Sequence, residues 1–189
     1  MRIFIAINLP GEIKKELKEI TQELNYSFPE KGIVRWVGKD NLHLTLLFLG
    51  NIREEALLET SEIVKKTVQK ENPFSLKLTN IQYGPPGKMP PRLIWLNIEK
   101  KPELVEVVEN LKKEIAEKGI LNKFEEKAFS PHITLGRIRA FQWRRMEPEE
   151  RPNIEREVNL DFGVDSIDIM ESNLKRTGAE YTILESIKL

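Results

Sequence analysis

The sequence contains no cysteine, and it has only two histidines among its 189 residues. Without cysteine, a disulfide framework, a thiolate nucleophile and a thiolate-bound metal are excluded. Two histidines alone make a poor zinc site, because nothing near either of them completes a tetrahedral ligand set. Imidazole chemistry in this chain must therefore use these two side chains, and neither a metal nor another cofactor is expected.

The sequence also lacks an excess of either charge and any long apolar run. Thirty Lys and Arg balance thirty Asp and Glu, so a polyanion has to be held by a local patch rather than by a broadly basic surface. The apolar run from Ile3 to Ile7 is too short for a signal sequence or a membrane span. We expect a cytoplasmic protein without a membrane association or an obligate protein partner.

Hydrophobic residues make up 40% of the chain, which suffices for one compact domain or two small lobes. Short runs of alternating apolar residues predict strands in the chain up to residue 137: 2–8, 33–37, 43–49, 74–83, 92–98 and 132–137. Apolar residues at helical spacing predict helices that open at Pro10, at Arg53 and at Pro102, since proline is favoured in a first turn.

The remaining segments predict loops and a strand-rich C-terminal part. The segment 84–91, with four prolines and two glycines, predicts a lobe boundary or a loop over the site. Further loops are predicted through Asn122 and Lys123 and, exposed and charged, over 139–155. The last part of the chain predicts two or three strands with a turn near Gly178.

The two histidines lie in matching contexts, HLTL at 43–46 and HITL at 132–135. Side chains of a strand alternate between its faces, so each histidine shares a face with the threonine two positions later. A strand that only needed burial would not place an imidazole and a hydroxyl on that face. Two inert, hydrogen-bonded histidines are the alternative, but a matched pair favours one shared site.

These contexts belong to a longer internal repeat of strand, helix and histidine strand. Ile3 precedes His43 by 40 positions, and Leu93 precedes His132 by 39. Two such units predict an α+β fold of two pseudo-twofold-related lobes, each with a mainly antiparallel sheet and outer helices, around a cleft. We expect a single domain, 1–189, of two intertwined lobes with approximate repeat units 2–83 and 92–138 and C-terminal strands in 156–189. Ordinary strand–helix periodicity is the alternative explanation.

Two histidines on opposite sides of a cleft suit the cleavage of a phosphodiester. Histidine's ordinary pKa of about 6.5 makes both protonation states available near neutrality. One imidazole can take a proton from the attacking group while the other gives one to the leaving oxygen. The hydroxyls of Thr45 and Thr134 can donate hydrogen bonds to non-bridging phosphate oxygens. The residues alone do not decide which histidine is the acid.

The paired motifs resemble those of the 2H phosphoesterase superfamily, and more narrowly those of the RNA 2',3'-cyclic phosphodiesterases, also called 2'-5' RNA ligase-like proteins. The likeness covers nearly the whole chain, with further matches in RIFIAI at 2–7, RWV at 35–37, FLG at 48–50 and SP at 130–131. It implies metal-independent hydrolysis of 2',3'-cyclic phosphates, on RNA ends or nucleosides, to 2'-phosphates in a positively charged cleft. It also implies that His43 protonates the leaving 3'-oxygen and that His132 activates water.

Two other functions stay open at this point. One is a 2'-5' RNA ligase acting on RNA or tRNA-half ends, and the other is a non-catalytic module that binds RNA or nucleotides. Assaying a nucleoside 2',3'-cyclic phosphate in EDTA separates the enzyme from the binding module.

Arg137 and Trp36 are further candidates for substrate binding. Arg137 lies an odd number of positions past Thr134, so it faces the phosphate only if a bulge or the strand end intervenes. For Trp36, the alternative to substrate binding is a half-buried structural role. Phe48 is expected in the core. The cations around Trp143 suit RNA, although a charged, exposed loop is the commoner reading.

Overall fold

The computed structural model describes residues 1–121, 128–175 and 178–189, so the loop predicted through Asn122 and Lys123 lies outside the described residues. The described strands are β1 (Arg2–Asn8), β2 (Val34–Trp36), β3 (His43–Asn51), β4 (Phe74–Gly84), β5 (Leu93–Ile98), β6 (His132–Ile138), β7 (Arg156–Val164), β8 (Ser166–Lys175) and β9 (Gly178–Lys188). The described α-helices are α1 (Gly11–Tyr26), α2 (Glu54–Val68), α3 (Pro102–Glu117) and α4 (Ala140–Arg145).

The strands form one curled antiparallel sheet in the order β7-β4-β5-β6-β3-β1-β8-β9, with β2 paired to β6. The order is symmetric about its centre. The histidine strands β6 and β3 are innermost, and β5 and β1, the strands that lead into α3 and α1, flank them. The predicted α+β class with an antiparallel sheet is confirmed, and the two predicted lobes are the halves of this sheet. The division into repeat units stays a prediction.

The long helices form where the sequence supplies an apolar stripe. In α1 the residues Ile13, Leu17, Ile20 and Leu24 recur at helical spacing, and all four are buried. Their exposed neighbours are largely Lys and Glu, as in a helix that packs one face on a core. Pro102 occupies the first turn of α3, where its missing N–H costs no intrahelical hydrogen bond.

The sheet has one face covered by helices and one that is left open. Ile3, Ile5 and Ile7 of β1 belong to the same buried cluster as the apolar stripes of α1, α2 and α3. On the other face of β1, Phe4 and Ala6 join only a small cluster with residues of β8 and β9. The open face is therefore where a ligand can reach the sheet.

A β-bulge interrupts β3 just after its His-x-Thr motif. Ala6 of β1 lies opposite Thr45, and Ile5 lies opposite Leu47, so Leu46 is an extra residue on β3. An extra residue reverses the alternation beyond it. Phe48 consequently lies on the open face and is 64% exposed, so the prediction that it belongs to the core is wrong.

The same interruption occurs at the corresponding point of β6. Trp95 of β5 lies opposite Thr134, and Ile94 lies opposite Gly136, so Leu135 is the extra residue. Beyond the bulge Arg137 is exposed and Ile138 is buried. Arg137 therefore shares the open face with His132 and Thr134. The sequence allowed this position only if a bulge or the strand end intervened, and the bulge is present.

The charged segment 139–155 is not the exposed loop that its composition predicted. It begins with α4, in which Trp143 is only 3% exposed. The Trp143 ring packs edge-on against Tyr83 at 5.1 Å between centroids, and the Arg151 guanidinium lies 5.6 Å from its centre. The high charge of this segment hides a tryptophan that anchors it to the core, so Trp143 is not available to stack on RNA.

None of the helices in the described ranges combines the length and the apolar character needed to span a membrane.

The tight seat of Gly136 yields a test of the β2–β6 packing. A Cβ at Gly136 would lie 2.6 Å from Val34 Cγ1 and 3.1 Å from Trp36 Cε3. We expect Gly136→Ala to lower the free energy of unfolding by about 1–3 kcal/mol, because neighbours must move to make room. Urea denaturation measures this change. Gly11→Ala is the control, since a Cβ there meets no atom within 4 Å, and equal stability of the two variants would contradict the packing described.

Candidate active site

The two histidines flank the point where the halves of the sheet meet. β3 and β6 pair at Leu44 and Ile133, both fully buried on the core side. His43 and His132 each lie one residue before that point, and both are half-buried on the open face. Positions related in this way across an antiparallel pair are diagonal neighbours, about 7–8 Å apart. One phosphate group fits between side chains at that separation.

His43 is held at both ring nitrogens. Its Nδ1 lies 2.7 Å from the backbone oxygen of Asn41, and because a carbonyl only accepts, Nδ1 carries the proton. Its Nε2 lies 3.0 Å from Thr45 Oγ1. In the neutral ring the Thr45 hydroxyl donates to Nε2, and in the protonated ring Nε2 has a proton to give.

His132 has the same tautomer but a different support. Its Nδ1 lies 2.8 Å from the backbone oxygen of Ser130 and donates to it. The described residues offer no hydrogen bond to its Nε2. The ring instead stacks on the indole of Trp95, with centroids 3.9 Å apart and planes 23° from parallel. Its Nε2 is therefore free to take a proton from a group on the open face.

Burial lowers the pKa of both histidines from its ordinary value, because a desolvated imidazolium is costly. The hydrogen bond to a backbone carbonyl raises each pKa in part. For His43, the charges of Lys14 and Arg137 lower the pKa further. In the free protein both rings therefore favour the neutral form, and His43 alone faces two cations.

A polar network supports the His43 side of the site. The ammonium of Lys14 donates to the backbone oxygen of Asp40 at 2.9 Å and reaches Asn8 Oδ1 at 3.5 Å. Asn8, which pairs with His43 across β1 and β3, donates through Nδ2 to the buried carboxylate of Asp168 at 2.7 Å. Burial lowers the pKa of Lys14, while Asp40 and Asp168 raise it. These contacts hold the Lys14 ammonium near His43.

Of the other predicted residues, Thr45, Thr134 and Arg137 lie with the histidines and Trp36 does not. The Trp36 side chain packs on the core cluster, and its Nε1 donates to Asn25 Oδ1 at 2.8 Å. It faces Gly136 on the covered side, whereas Arg35 and Arg137 pair as neighbours on the open side. Trp36 therefore has the position of a half-buried structural tryptophan, the alternative that the sequence left open, and it does not lie with the histidines.

Sequence reasoning missed several residues that touch the histidines. The ring centroids of Phe4 and Tyr181 each lie 5.0 Å from that of His43, with Tyr181 edge-on. Trp95 stacks on His132. Strand alternation around the repeat would have placed Trp95 opposite the core residues of β5. Nothing in the local sequence marks Lys14, which reaches the site from α1.

The arrangement can perform acid–base chemistry on a bound anion. Two imidazoles, each bonded through Nδ1 to a backbone carbonyl, flank one point on the open face. Two hydroxyls lie beside them, and Arg137 supplies a cation. The described residues include no cluster of three or more side chains suited to holding a metal ion.

The sequence is similar to known proteins along most of its length. Residues 7–95 match the family described as LigT like Phosphoesterase. An RNA 2',3'-cyclic phosphodiesterase of Thermotoga maritima is 36% identical over 188 residues, which cover 97% of this chain and 93% of that protein. Another, from Aquifex aeolicus, is 29% identical over 93% of this chain and 92% of its own length.

Comparisons of the structure give the same family. TT0787 of Thermus thermophilus superposes with a TM-score of 0.82 and 28% identity, over 100% of this chain and 98% of that one. LigT of Escherichia coli in complex with 3'-AMP superposes with a TM-score of 0.79 and 27% identity, over 100% and 97% of the two chains. With a relative more than 30% identical along nearly its whole length, this chain belongs to the family of LigT-like phosphoesterases.

Proposed function

We propose that the protein hydrolyses a 2',3'-cyclic phosphate, either at the end of an RNA or on a nucleoside, to a 2'-phosphate. The observation that carries the proposal is the pair of histidines with the same tautomer, on one face, at the meeting point of β3 and β6. The names of the relatives and the 3'-AMP complex of E. coli LigT support an RNA end as the substrate.

In the proposed step, water attacks phosphorus as the bond from phosphorus to the 3'-oxygen breaks. His132 Nε2 takes the proton of the water, and His43 Nε2 gives its proton to the departing 3'-oxygen. The products are a 2'-phosphate and a 3'-hydroxyl, and the two histidines end with their protonation states exchanged. This assignment of acid and base follows the family resemblance, and the free Nε2 of His132 supports its part in it.

The acid role requires His43 to be protonated, although burial and then the charges of Lys14 and Arg137 lower its pKa in the free protein. The substrate itself removes this obstacle. A phosphodiester carries a negative charge, and an opposite charge a few ångströms away favours the imidazolium. Binding of the anion therefore offsets the two cations and raises the pKa of His43 when a proton is needed.

The neighbouring groups are proposed to hold the phosphate. Thr45 keeps its own hydroxyl proton once His43 is protonated, so it can donate to a non-bridging oxygen, and Thr134 lies in the matching position on β6. Arg137, turned onto this face by the bulge, can bind two oxygens at once through its guanidinium. Such donors stabilise the charge that builds up at phosphorus.

The apolar part of the open face suits the nucleoside. Phe48 and Ile183 are 64% and 50% exposed, and the Phe48 ring lies 5.9 Å from Phe4. The Tyr181 ring packs edge-on against both Phe4 and His43. Unstacked bases at RNA ends bind to aromatic and apolar side chains of this kind, so we place the terminal base on the His43 half.

The proposal is tested with 2',3'-cyclic AMP in EDTA, with the products separated by chromatography. We expect 2'-AMP as the product, and a loss of kcat of about 100- to 10,000-fold in each of His43→Ala and His132→Ala, the range for removal of a general acid or base. EDTA should have no effect, because the base and the acid of the proposed step are both imidazoles of the protein.

Leu58→Ala is the control for this assay, since Leu58 is 74% exposed on α2 and its loss should leave turnover unchanged. Full activity in both histidine variants, or 3'-AMP as the product, would contradict the proposed step. Binding without turnover in the wild type would indicate the non-catalytic module, and a 2'-5' linkage formed from paired RNA ends would indicate the ligase.

The electrostatic part is tested by NMR titration, because a chain with two histidines gives two Cε1–H signals. Lys14→Met should raise the pKa of His43, since the nearby ammonium opposes its protonation, and should leave His132 unmoved. Inorganic phosphate should raise the same pKa in the wild type. Lys15→Met, at an exposed neighbouring position, is the control. A His43 pKa that is unchanged or lower in Lys14→Met would show that Lys14 does not act on this ring.

A further inference from the structure

We infer that Trp95 is a positioning residue for His132, whose imidazole it holds in the orientation from which Nε2 takes the proton of the attacking water. The inference rests on the hydrolysis proposed above. It assigns a part in that reaction to a residue that touches His132 and need not touch the substrate.

The indole of Trp95 lies in a slot that fits a flat ring. β5 lies between β4 and β6 in the sheet, so Trp95 has Gly84 on one side and His132 on the other. A Cβ on Gly84 would lie 2.4 Å from Trp95 Cδ2, which shows how closely the backbone of β4 approaches the indole. The side chain is 9% exposed. An indole held on one side in this way presents a fixed surface to the imidazole on the other.

His132 needs such a surface because it lacks the support that His43 has. A hydrogen bond at Nδ1 fixes one atom of a ring but leaves the ring free to tilt about that bond. His43 is held at a second point by Thr45 Oγ1, 3.0 Å from its Nε2. The described residues give His132 no such bond, and its second restraint is the stack at 3.9 Å and 23°.

The pseudo-symmetry of the sheet separates this role from general packing. Trp95 lies opposite Thr134 on the strand beside β6, and the residue in the matching position beside β3 is Ala6, opposite Thr45. The equivalent strand pairing therefore forms with the methyl side chain of Ala6 in place of an indole. Among the described residues, a ring stacked nearly parallel to a histidine occurs beside His132 alone, since Phe4 is tilted by 37° and Tyr181 by 88° to the His43 ring.

The indole also carries a cost that packing alone does not explain. Its Nε1 is buried without a hydrogen-bond partner among the described residues, and a buried donor of this kind calls for an explanation. Stacking provides one, because the face of an indole attracts a cation. When His132 takes the proton of water, its new charge develops against this face. The contact thus favours the proton transfer as well as the orientation.

The experiment replaces Trp95 by Leu, which is apolar but cannot stack, and by Phe, which can. With 2',3'-cyclic AMP, Trp95→Leu should lower kcat by about 10- to 100-fold, as expected for a misplaced catalytic group, and change KM by less than about 2-fold. Trp95→Phe should recover most of the loss. In NMR spectra the His132 Cε1–H signal should lose its ring-current shift in Trp95→Leu, while the His43 signal stays unchanged.

Trp143→Leu is the matched control, because Trp143 is also buried and its ring contacts Tyr83 and Arg151 rather than a histidine. It should cost comparable thermal stability without moving the His132 signal. Wild-type kcat in Trp95→Leu would overturn the inference. So would a change in the NMR signals of both histidines, or a loss of kcat that Trp95→Phe does not restore. If Trp95→Leu does not fold, Trp95→Phe takes its place: a His132 signal that keeps a ring-current shift together with most of the wild-type kcat supports the inference, and loss of that shift with wild-type kcat overturns it. The wild type separates the two proposals, since absence of turnover there contradicts the hydrolysis itself, while the NMR signals still report the stack.

Discussion

A backbone carbonyl two residues before each histidine determines what the two imidazoles can do. The oxygens of Asn41 and Ser130 accept from Nδ1 of His43 and His132 at 2.7 and 2.8 Å, so the reactive nitrogen in both rings is Nε2. Because each carbonyl belongs to the segment that leads directly into the histidine strand, the tautomer is set by the backbone. The remainder of the site brings the two Nε2 atoms to one anion and sets their proton affinities.

The two halves of the sheet supply equivalent strands and then differ in what surrounds them. Both histidine strands carry a bulge just past the motif, which turns Phe48 of β3 and Arg137 of β6 onto the open face. The same backbone device thus provides an apolar surface on one side and a guanidinium on the other. Such a division suits an asymmetric substrate that has a base at one end and a phosphate at the other.

Alternation and helical spacing were enough to predict the strands, the long helices and the shared face of each histidine with its threonine. They were not enough for Phe48 and Arg137, because a bulge depends on the pairing with β1 and β5 and has no signature among apolar residues. The charge of 139–155 concealed the buried Trp143 for a similar reason, since composition does not show which side chain a tertiary contact selects. Lys14 and Tyr181 come to His43 from distant parts of the chain, so only the fold reveals them.

The central claim is that both Nε2 atoms act on one phosphorus from opposite sides. A crystal structure with a nucleoside 2',3'-cyclic vanadate, which mimics the five-coordinate transition state, measures this most directly. We predict that His43 Nε2 and His132 Nε2 each lie within about 3.2 Å of an apical oxygen, one on each side of vanadium. A vanadate that contacts a single histidine, or that binds away from the meeting point of β3 and β6, would contradict the account.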